Sequence, residues 1–99
     1  MKLLLEKFGK TLTSRQLGSE AYKAFQSTLN NIGTDEEIKI DFTGVLTLSP
    51  SWADEFLTPL RRRIGDRLVL LPSDNWSVQA TVKLLEEIDR HVTDLPPIN

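Results

Sequence analysis

Residues 37–57, EIKIDFTGVLTLSPSWADEFL, contain the clearest indications of secondary structure in the sequence. The stretch opens with strict alternation, in which the apolar residues Ile38, Ile40 and Phe42 are separated by single polar residues. A period of two predicts a strand with one buried face and one wetter face. A turn at Thr43-Gly44 follows, and an apolar segment then leads onward to Ser49.

The second half of the stretch predicts a helix. Pro50 suits the first helical position, with Ser49 as the N-cap. Alternatively Ser51 caps the helix and Asp54 completes a capping box. Pro59 lies inside the helical pattern and predicts a kink or break just before it. Apolar residues at i, i+4 spacing form the inward stripe, namely Trp52, Phe56, Leu60 and Ile64, flanked by Ala53 and Leu57.

Further strands and helices flank this stretch on both sides. Strands are predicted at 2–8 and 67–71, the second as an interior strand, and helices at about 13–30 and 76–91. The order strand, helix, strand, helix, strand, helix predicts right-handed βαβ crossovers. We therefore expect an α/β fold, a small mixed or mostly parallel sheet of three to five strands with helices mainly on one face. One domain covers 1–99, with a core at about 2–92 and a flexible tail at 93–99.

The first helix carries two informative positions near its start. Thr13 and Gln16 have capping-box spacing. Leu17 falls on the predicted buried face with Ala21, Ala24 and Phe25. Gly18 is a poor helix former, so it indicates either close backbone packing against a neighbour or a tolerated defect.

Composition narrows the range of functions. The 99 residues carry a net charge of −2, which argues against a dedicated nucleic-acid binder. The chain has no cysteine, so thiol catalysis, disulfides and the common structural zinc sites are excluded. The short, charge-interrupted N-terminus does not resemble a signal peptide, and no run is long enough to span a membrane. We expect a cytoplasmic protein without cofactor or metal, since the single histidine, His91, has no other ligand type beside it in sequence.

The central stretch resembles the STAS-like family of unknown function. The resemblance lies in Ile40-Asp41-Phe42-Thr43-Gly44-Val45, in Trp52-Ala53-Asp54-Glu55-Phe56, and upstream in Ser14-Arg15 and Gly18. Members of that family are distant relatives of the anti-sigma factor antagonists. In those proteins a serine at the start of the second helix is phosphorylated by an ATPase of the histidine-kinase-like fold. Aligning the strand ends puts Ser51 at that position, although the antagonists' Asp-Ser-Ser-Gly motif reads Ser49-Pro50-Ser51-Trp52 here.

The resemblance implies a regulatory module that binds a protein and catalyses nothing. Its expected partner is a histidine-kinase-like ATPase or another signalling protein. Ser51 is the first candidate phospho-acceptor and Ser49 the second. A helix N-terminus tolerates a phosphate, and the added charge of about −1.5 to −2 would repel an acidic partner surface. The alternative is that these serines are plain N-caps.

Five residues are candidate partner contacts, and each has a structural alternative. They are Trp52, Asp54, Glu55, Arg62 and Trp76. Adjacent helical residues point about 100° apart, so the acidic pair is not expected to converge on one atom. The arginines at 61–63 could equally complement the helix dipole. Trp76 is either an exposed interface anchor or a core residue.

Two other functions stay open at this point. A nucleotide or small-ligand sensor would use the carboxyl ends of the parallel strands, around Thr43, Gly44, Ser49 and Ser73. A structural subunit of an oligomer, including a homodimer, would use the exposed edge of the first strand.

Overall fold

The computed structural model describes the backbone of residues 1–94 and the side chains of residues 1–88. The predicted alternation of strands and helices is confirmed, with two additional two-residue strands. The elements are β1 (Lys2–Leu4), a 3₁₀ turn (Leu5–Phe8), β2 (Thr11–Leu12), α1 (Arg15–Leu29), β3 (Ile38–Asp41), β4 (Thr47–Leu48), α2 (Pro50–Ile64), a 3₁₀ turn (Gly65–Arg67), β5 (Leu68–Leu70) and α3 (Trp76–Asp94). None of the helices in this part of the chain is long and apolar enough to cross a membrane.

The main sheet has the order β1-β3-β5, and both of its strand pairs are parallel. Strands β2 and β4 form a separate parallel pair. Because the order is sequential and βαβ crossovers are right-handed, α1 and α2 are placed on the same face of the sheet. The predictions of an α/β fold and of mostly parallel pairing are confirmed.

The two faces of the sheet differ in polarity, as the alternation in β3 predicted. The face that carries Leu3, Ile38 and Ile40 is buried. The opposite face carries Lys2 and Lys39, which are exposed. Helices therefore cover one face, and the other is open to solvent.

The core lies between the sheet and α2, whose apolar stripe is fully buried as predicted. Phe56 is its centre, because its ring stacks on Trp52 with centroids 5.1 Å apart and contacts three further aromatic rings. Those rings belong to Phe8, Tyr22 and Phe25. Such ring pairs add about 0.5–1.5 kcal/mol each beyond burial of their area. The aromatic cluster therefore fixes α1, α2 and the first 3₁₀ turn together.

Two strand predictions were wrong in part. The strand predicted over 2–8 ends at Leu4, and a 3₁₀ turn follows. The turn lets Leu5 be fully buried while Phe8 packs on Trp52 and Phe56. An extended chain would have sent alternate residues to opposite faces. The strand at 67–71 was predicted to be interior, but β5 lies at the edge of the sheet.

The helix ends also required corrections. Ser14, not Thr13, caps α1, since its hydroxyl accepts from the Leu17 N–H at 3.2 Å. Leu17 lies on the outer side of the helix and is 57% exposed. Of the kink or break predicted just before Pro59, the break is wrong: α2 runs without interruption from Pro50 to Ile64, and its stripe is buried on both sides of Pro59.

The C-terminal end of α3 was placed too early. The helix continues to Asp94, so residues 93–94 belong to it and not to a tail. Residues 95–99 and the side chain of His91 lie outside the described residues.

Candidate functional site

The three helices begin at the same end of the molecule, because each follows the carboxyl end of a parallel strand. Strand β4 and the residue after it form hydrogen bonds to the segments where the other two helices begin. The Ser49 hydroxyl donates to the Thr13 carbonyl at 2.9 Å, which ties α2 to the segment before α1. The Ser77 hydroxyl accepts from the Leu48 N–H at 3.0 Å and contacts the Leu48 carbonyl at 3.2 Å, which ties α3 to β4. Thr81 donates to the same carbonyl at 2.6 Å.

Trp76 is the first residue of α3 and is 81% exposed. Its position is fixed by Asn75, whose side-chain oxygen accepts from the Val78 N–H at 3.0 Å as an N-cap. The Asn75 side-chain amide donates to the carbonyls of Val45 and Leu46, at 2.9 and 3.0 Å. The alternative that Trp76 is a core residue is therefore wrong. The backbone that carries the indole is held in place by the hydrogen bonds of Asn75.

Leu46 is a second exposed apolar residue at this end, with 64% of its surface accessible. Its N–H donates to the Lys10 carbonyl at 2.8 Å, and its own carbonyl accepts from Asn75. The segment that carries it is thus fixed on both sides. We call Leu46, Ser51 and Trp76 the helix-start surface.

The two candidate phospho-acceptors differ in their surroundings. Ser49 is the N-cap of α2: its hydroxyl accepts from the Trp52 N–H at 3.2 Å and donates to Thr13. The alternative of Ser51 as the cap is therefore wrong. Ser51 lies in the first turn, is half-buried, and makes no side-chain hydrogen bond to the described residues. Its hydroxyl can react without the loss of a structural contact, whereas that of Ser49 cannot.

Asp54 and Glu55 contact one guanidinium group. Arg15 Nη1 donates to Asp54 Oδ2 at 3.2 Å and to Glu55 Oε1 at 2.6 Å. Hydrogen bonds to Glu55 and then to Asp54 raise the pKa of Arg15 above its ordinary value. The prediction that the two carboxylates cannot converge was wrong, because a long side chain from α1 spans the angle between them.

The other two candidate contacts have different surroundings. Trp52 is buried, so its assignment as a partner contact was wrong: the i, i+4 stripe that contains it faces the core. Arg62 is exposed in the last turn of α2, at the opposite end from the helix-start surface. Its neighbour Arg63 donates to Asn30 Oδ1 at 2.6 Å and so connects the ends of α1 and α2.

The Asp41-Phe42-Thr43-Gly44 segment forms a tight turn after β3. Asp41 Oδ1 accepts from the Thr43 N–H at 2.9 Å and from the Thr43 hydroxyl at 2.6 Å, and Asp41 Oδ2 lies 3.1 Å from Lys2 Nζ. The hydrogen bonds from Thr43 and then from Lys2 lower the pKa of Asp41 to about 2. Gly44 has a φ of +86°, and the Glu6 carboxylate lies where its β-carbon would be.

A cavity of about 310 Å³ adjoins this turn at the carboxyl ends of β3 and β5. Thr43, Gly44 and Ser73 line it together, as the ligand-sensor alternative predicted. Ser49 does not, because its hydroxyl is directed towards Thr13. The described strands of the main sheet show no reversal of order, which is the feature that creates a ligand crevice in open α/β sheets.

Three residues that build this end were not among the candidate site residues of the sequence analysis. Arg15, Leu46 and Asn75 gave weak signals, although an asparagine just before a helix is a recognisable N-cap. Among the described residues, no group of three or more His, Asp or Glu side chains is suited to hold a metal ion. Searches of family models, curated proteins and solved structures found no match to this chain.

Proposed function

We propose that this chain is a regulatory module of the STAS-like kind that acts by binding another protein through its helix-start surface. The observation that carries the proposal is the exposed indole of Trp76 on a fixed helix start. Tryptophan is enriched among residues that dominate binding energy at protein interfaces. Burying about 200 Å² of indole would contribute roughly 5 kcal/mol before the costs of association.

The rigidity of this surface supports the same conclusion. Hydrogen bonds from Asn75 to two carbonyls fix Trp76 relative to Leu46 before any partner arrives. Little backbone conformational entropy is then lost on binding. Ser51 lies three residues after Leu48, which is bonded to Ser77 next to Trp76. At 3.8 Å per Cα step, the whole helix-start surface fits within about 20 Å, the width of an ordinary interface on one partner.

Ser51 supplies a switch in this proposal. A phosphoryl group there would lie on the helix face of Asp54 and Glu55, three and four residues further on. It would then compete with them for Arg15, the one cation that now forms ion pairs with both. The partner in this proposal is an ATPase of the histidine-kinase-like fold or another signalling protein, as the family resemblance implies.

Direct binding tests the proposal. The purified chain is mixed with a histidine-kinase-like ATPase from the same genome and analysed by size-exclusion chromatography. We expect co-elution with the parent chain, loss of at least tenfold in affinity with Trp76→Ser, and no loss with Ile88→Ser, a matched exposed apolar residue of α3. Equal binding by both variants would contradict the docking surface.

The phosphorylation step has its own test. After incubation with the same ATPase, ATP and Mg²⁺, intact mass spectrometry should show one added phosphoryl group. Ser51→Ala should abolish it and Ser49→Ala should not. A phosphoryl group retained in Ser51→Ala would show that this serine is not the acceptor.

The cavity beside Thr43 keeps the small-ligand sensor as a second candidate function. Its volume of about 310 Å³ is at the lower limit of small-molecule sites. A thermal-shift screen with nucleotides tests this function. A ligand of this cavity should raise the melting temperature of the parent chain, and Ser73→Trp, which fills the cavity, should remove the shift.

A further inference from the structure

The outer edge of β5 presents backbone groups to which no described residue bonds. Leu71 donates its N–H to the Ile40 carbonyl, so residues 69 and 71 turn their backbone groups towards β3. Residues 68 and 70 therefore turn theirs outward. The Leu68 N–H is bonded to the Gly65 carbonyl. No hydrogen bond within the described part of the chain reaches the Leu68 carbonyl or the N–H and carbonyl of Leu70.

An apolar cavity lies directly beside this edge, under α3. It has a volume of about 310 Å³. Its walls are Leu70 and Leu71 on one side and Val78 and Val82 of α3 on the other. We call this cavity with the outer edge of β5 the β5 slot. It combines a row of hydrogen-bonding groups with an apolar wall, which is what a neighbouring strand contacts inside a sheet.

The topology accounts for the shape of the slot. A strand that followed α3 by a right-handed crossover would lie parallel to β5 on its outer side. Helix α3 is therefore placed as if to cover one more strand, and no described strand occupies that position. Two charged side chains line the slot, Lys83 and Glu86, and their charges are opposite. The slot therefore favours neither an acidic nor a basic occupant.

We propose that an extended segment of a partner protein occupies the β5 slot and adds a fourth strand to the sheet. Its backbone would bond to the Leu68 carbonyl and to both groups of Leu70, and alternate apolar side chains would pack on Val78 and Val82. This mode of recognition obtains affinity from backbone hydrogen bonds and specificity from alternate side-chain pockets. The proposal does not depend on the helix-start surface.

A second copy of the chain fits the slot less well. The β5 strand is three residues long. A two-fold pair of such strands would bury far less than the roughly 800 Å² per partner that a stable interface needs. A segment from another protein can be longer and can continue past Leu70 along the apolar wall.

A tethered strand provides the test. A strand of alternating valine and threonine is fused after Asn99 through a flexible linker, which gives an effective concentration of about 1 mM. Side chains of 38 and 40 face the core in β3, and in that strand the same residues bond to β5. A parallel fourth strand would follow the same rule. The backbone groups of its core-facing residues would point away from β5, and those of its solvent-facing residues would bond to β5. We therefore expect the valines to face α3, one threonine carbonyl to accept from the Leu70 N–H, and the next threonine N–H to donate to the Leu70 carbonyl.

Amide hydrogen exchange at Leu70 is the readout. We expect exchange at least tenfold slower in the fusion than in the parent chain. A control fusion with proline in place of every threonine has no N–H groups on the side that faces β5, so its strand cannot pair there and should give no protection. Unchanged exchange in the first fusion, or equal protection by both, would overturn the proposal. So would protection of Leu70 in the parent chain that grows with concentration, since the occupant would then be a second copy.

Two variants of the fusion connect the effect to the slot. Val82→Lys should remove the protection of Leu70, and Leu84→Lys, an exposed position of the same helix outside the slot, should keep it. The Ile40 amide, in the central strand, reports whether each variant is folded. If Val82→Lys loses protection at Leu70 but keeps it at Ile40, the result supports binding of the strand in the β5 slot. Retained protection at Leu70 in Val82→Lys would contradict it.

Discussion

The backbone of Gly18 in α1 lies against the backbone of Trp52 in α2. A β-carbon on Gly18 would be 2.6 Å from the Trp52 carbonyl oxygen and 3.0 Å from its Cα. Both obstacles are backbone atoms, so no side chain can move aside. We expect Gly18→Ala to destabilise the fold by about 1–3 kcal/mol, the usual cost of overpacking, despite the better helix propensity of alanine. Urea unfolding measures this loss.

Gly33→Ala is the matched control. A β-carbon there would meet no atom within 4 Å. The substitution should leave the unfolding free energy unchanged or raise it by a few tenths of a kcal/mol, because alanine restricts the unfolded chain. If both variants lose the same stability, close packing at Gly18 is not the cause.

Ser49→Ala and Ser51→Ala should differ clearly in their free energy of unfolding. The first removes the N-cap of α2 and leaves the Thr13 carbonyl without its donor, so we expect a loss of about 1–2 kcal/mol. The second removes no described hydrogen bond and should stay within about 0.5 kcal/mol of the parent. Chemical denaturation of the two variants checks this, and an equal loss would refute the assignment of Ser49 as the cap.

Asp41 should contribute to acid sensitivity. Its pKa in the folded protein is about 2, below the ordinary value of 3.8, so the folded state binds its proton more weakly than the unfolded state. The stability that Asp41 contributes is therefore complete above pH 3.8 and is lost as the pH falls from there towards 2. Asp41→Asn should be less stable at neutral pH and should lose less stability on acidification. Unfolding curves across this range test it, with the exposed Asp35→Asn as the control.

The two tryptophans should behave oppositely in fluorescence. Trp76 is exposed and Trp52 is buried. Iodide should therefore quench the fluorescence of Trp52→Phe, which keeps only Trp76, far more than the fluorescence of Trp76→Phe, which keeps only Trp52. Trp76→Ser should change stability by less than about 0.5 kcal/mol, whereas Trp52→Ala should cost about 3–5 kcal/mol. Strong quenching of Trp76→Phe would contradict the burial of Trp52.

Arg15→Gln should have a small effect that depends on salt. The ion pairs of Arg15 with Asp54 and Glu55 are largely exposed, so water and salt screen them and their contribution to stability is small. The difference from the parent should shrink as salt screens the charges. Thermal unfolding at low and high salt measures it, and a difference that does not change with salt would indicate a packing role for Arg15.

Much of the fold could be read from hydrophobic periodicity. The alternation at 38–42 gave the two-faced central strand, and the stripe from Trp52 to Ile64 gave the buried face of α2. Local patterns could not place β5 at the edge, because an apolar run looks the same in an interior strand and in an edge strand beside a groove. Nor could they show the turn after Leu4, where burial of Leu5 and Phe8 on one side overrides the strand pattern.

The site was less predictable than the fold, since it depends on long-range contacts. Ser49 as a cap follows from its place before Pro50, but the bond from its hydroxyl to Thr13 joins segments 36 residues apart. Arg15 meets Glu55 across 40 residues. The exposure of Trp76 depends on Asn75 reaching back to Leu46, 29 residues away, and periodicity carries no information about such a contact.

The parallel pairing of every strand has a consequence for how the chain folds. Within residues 1–94 no strand pair is a hairpin: Ile38 and Leu68 are 30 residues apart, and Lys2 and Lys39 are 37. Each ladder can form only after a long loop has closed, so the sheet cannot nucleate locally. Refolding should therefore take milliseconds or longer, and a nascent chain on the ribosome would hold β1 unpaired until β3 had emerged.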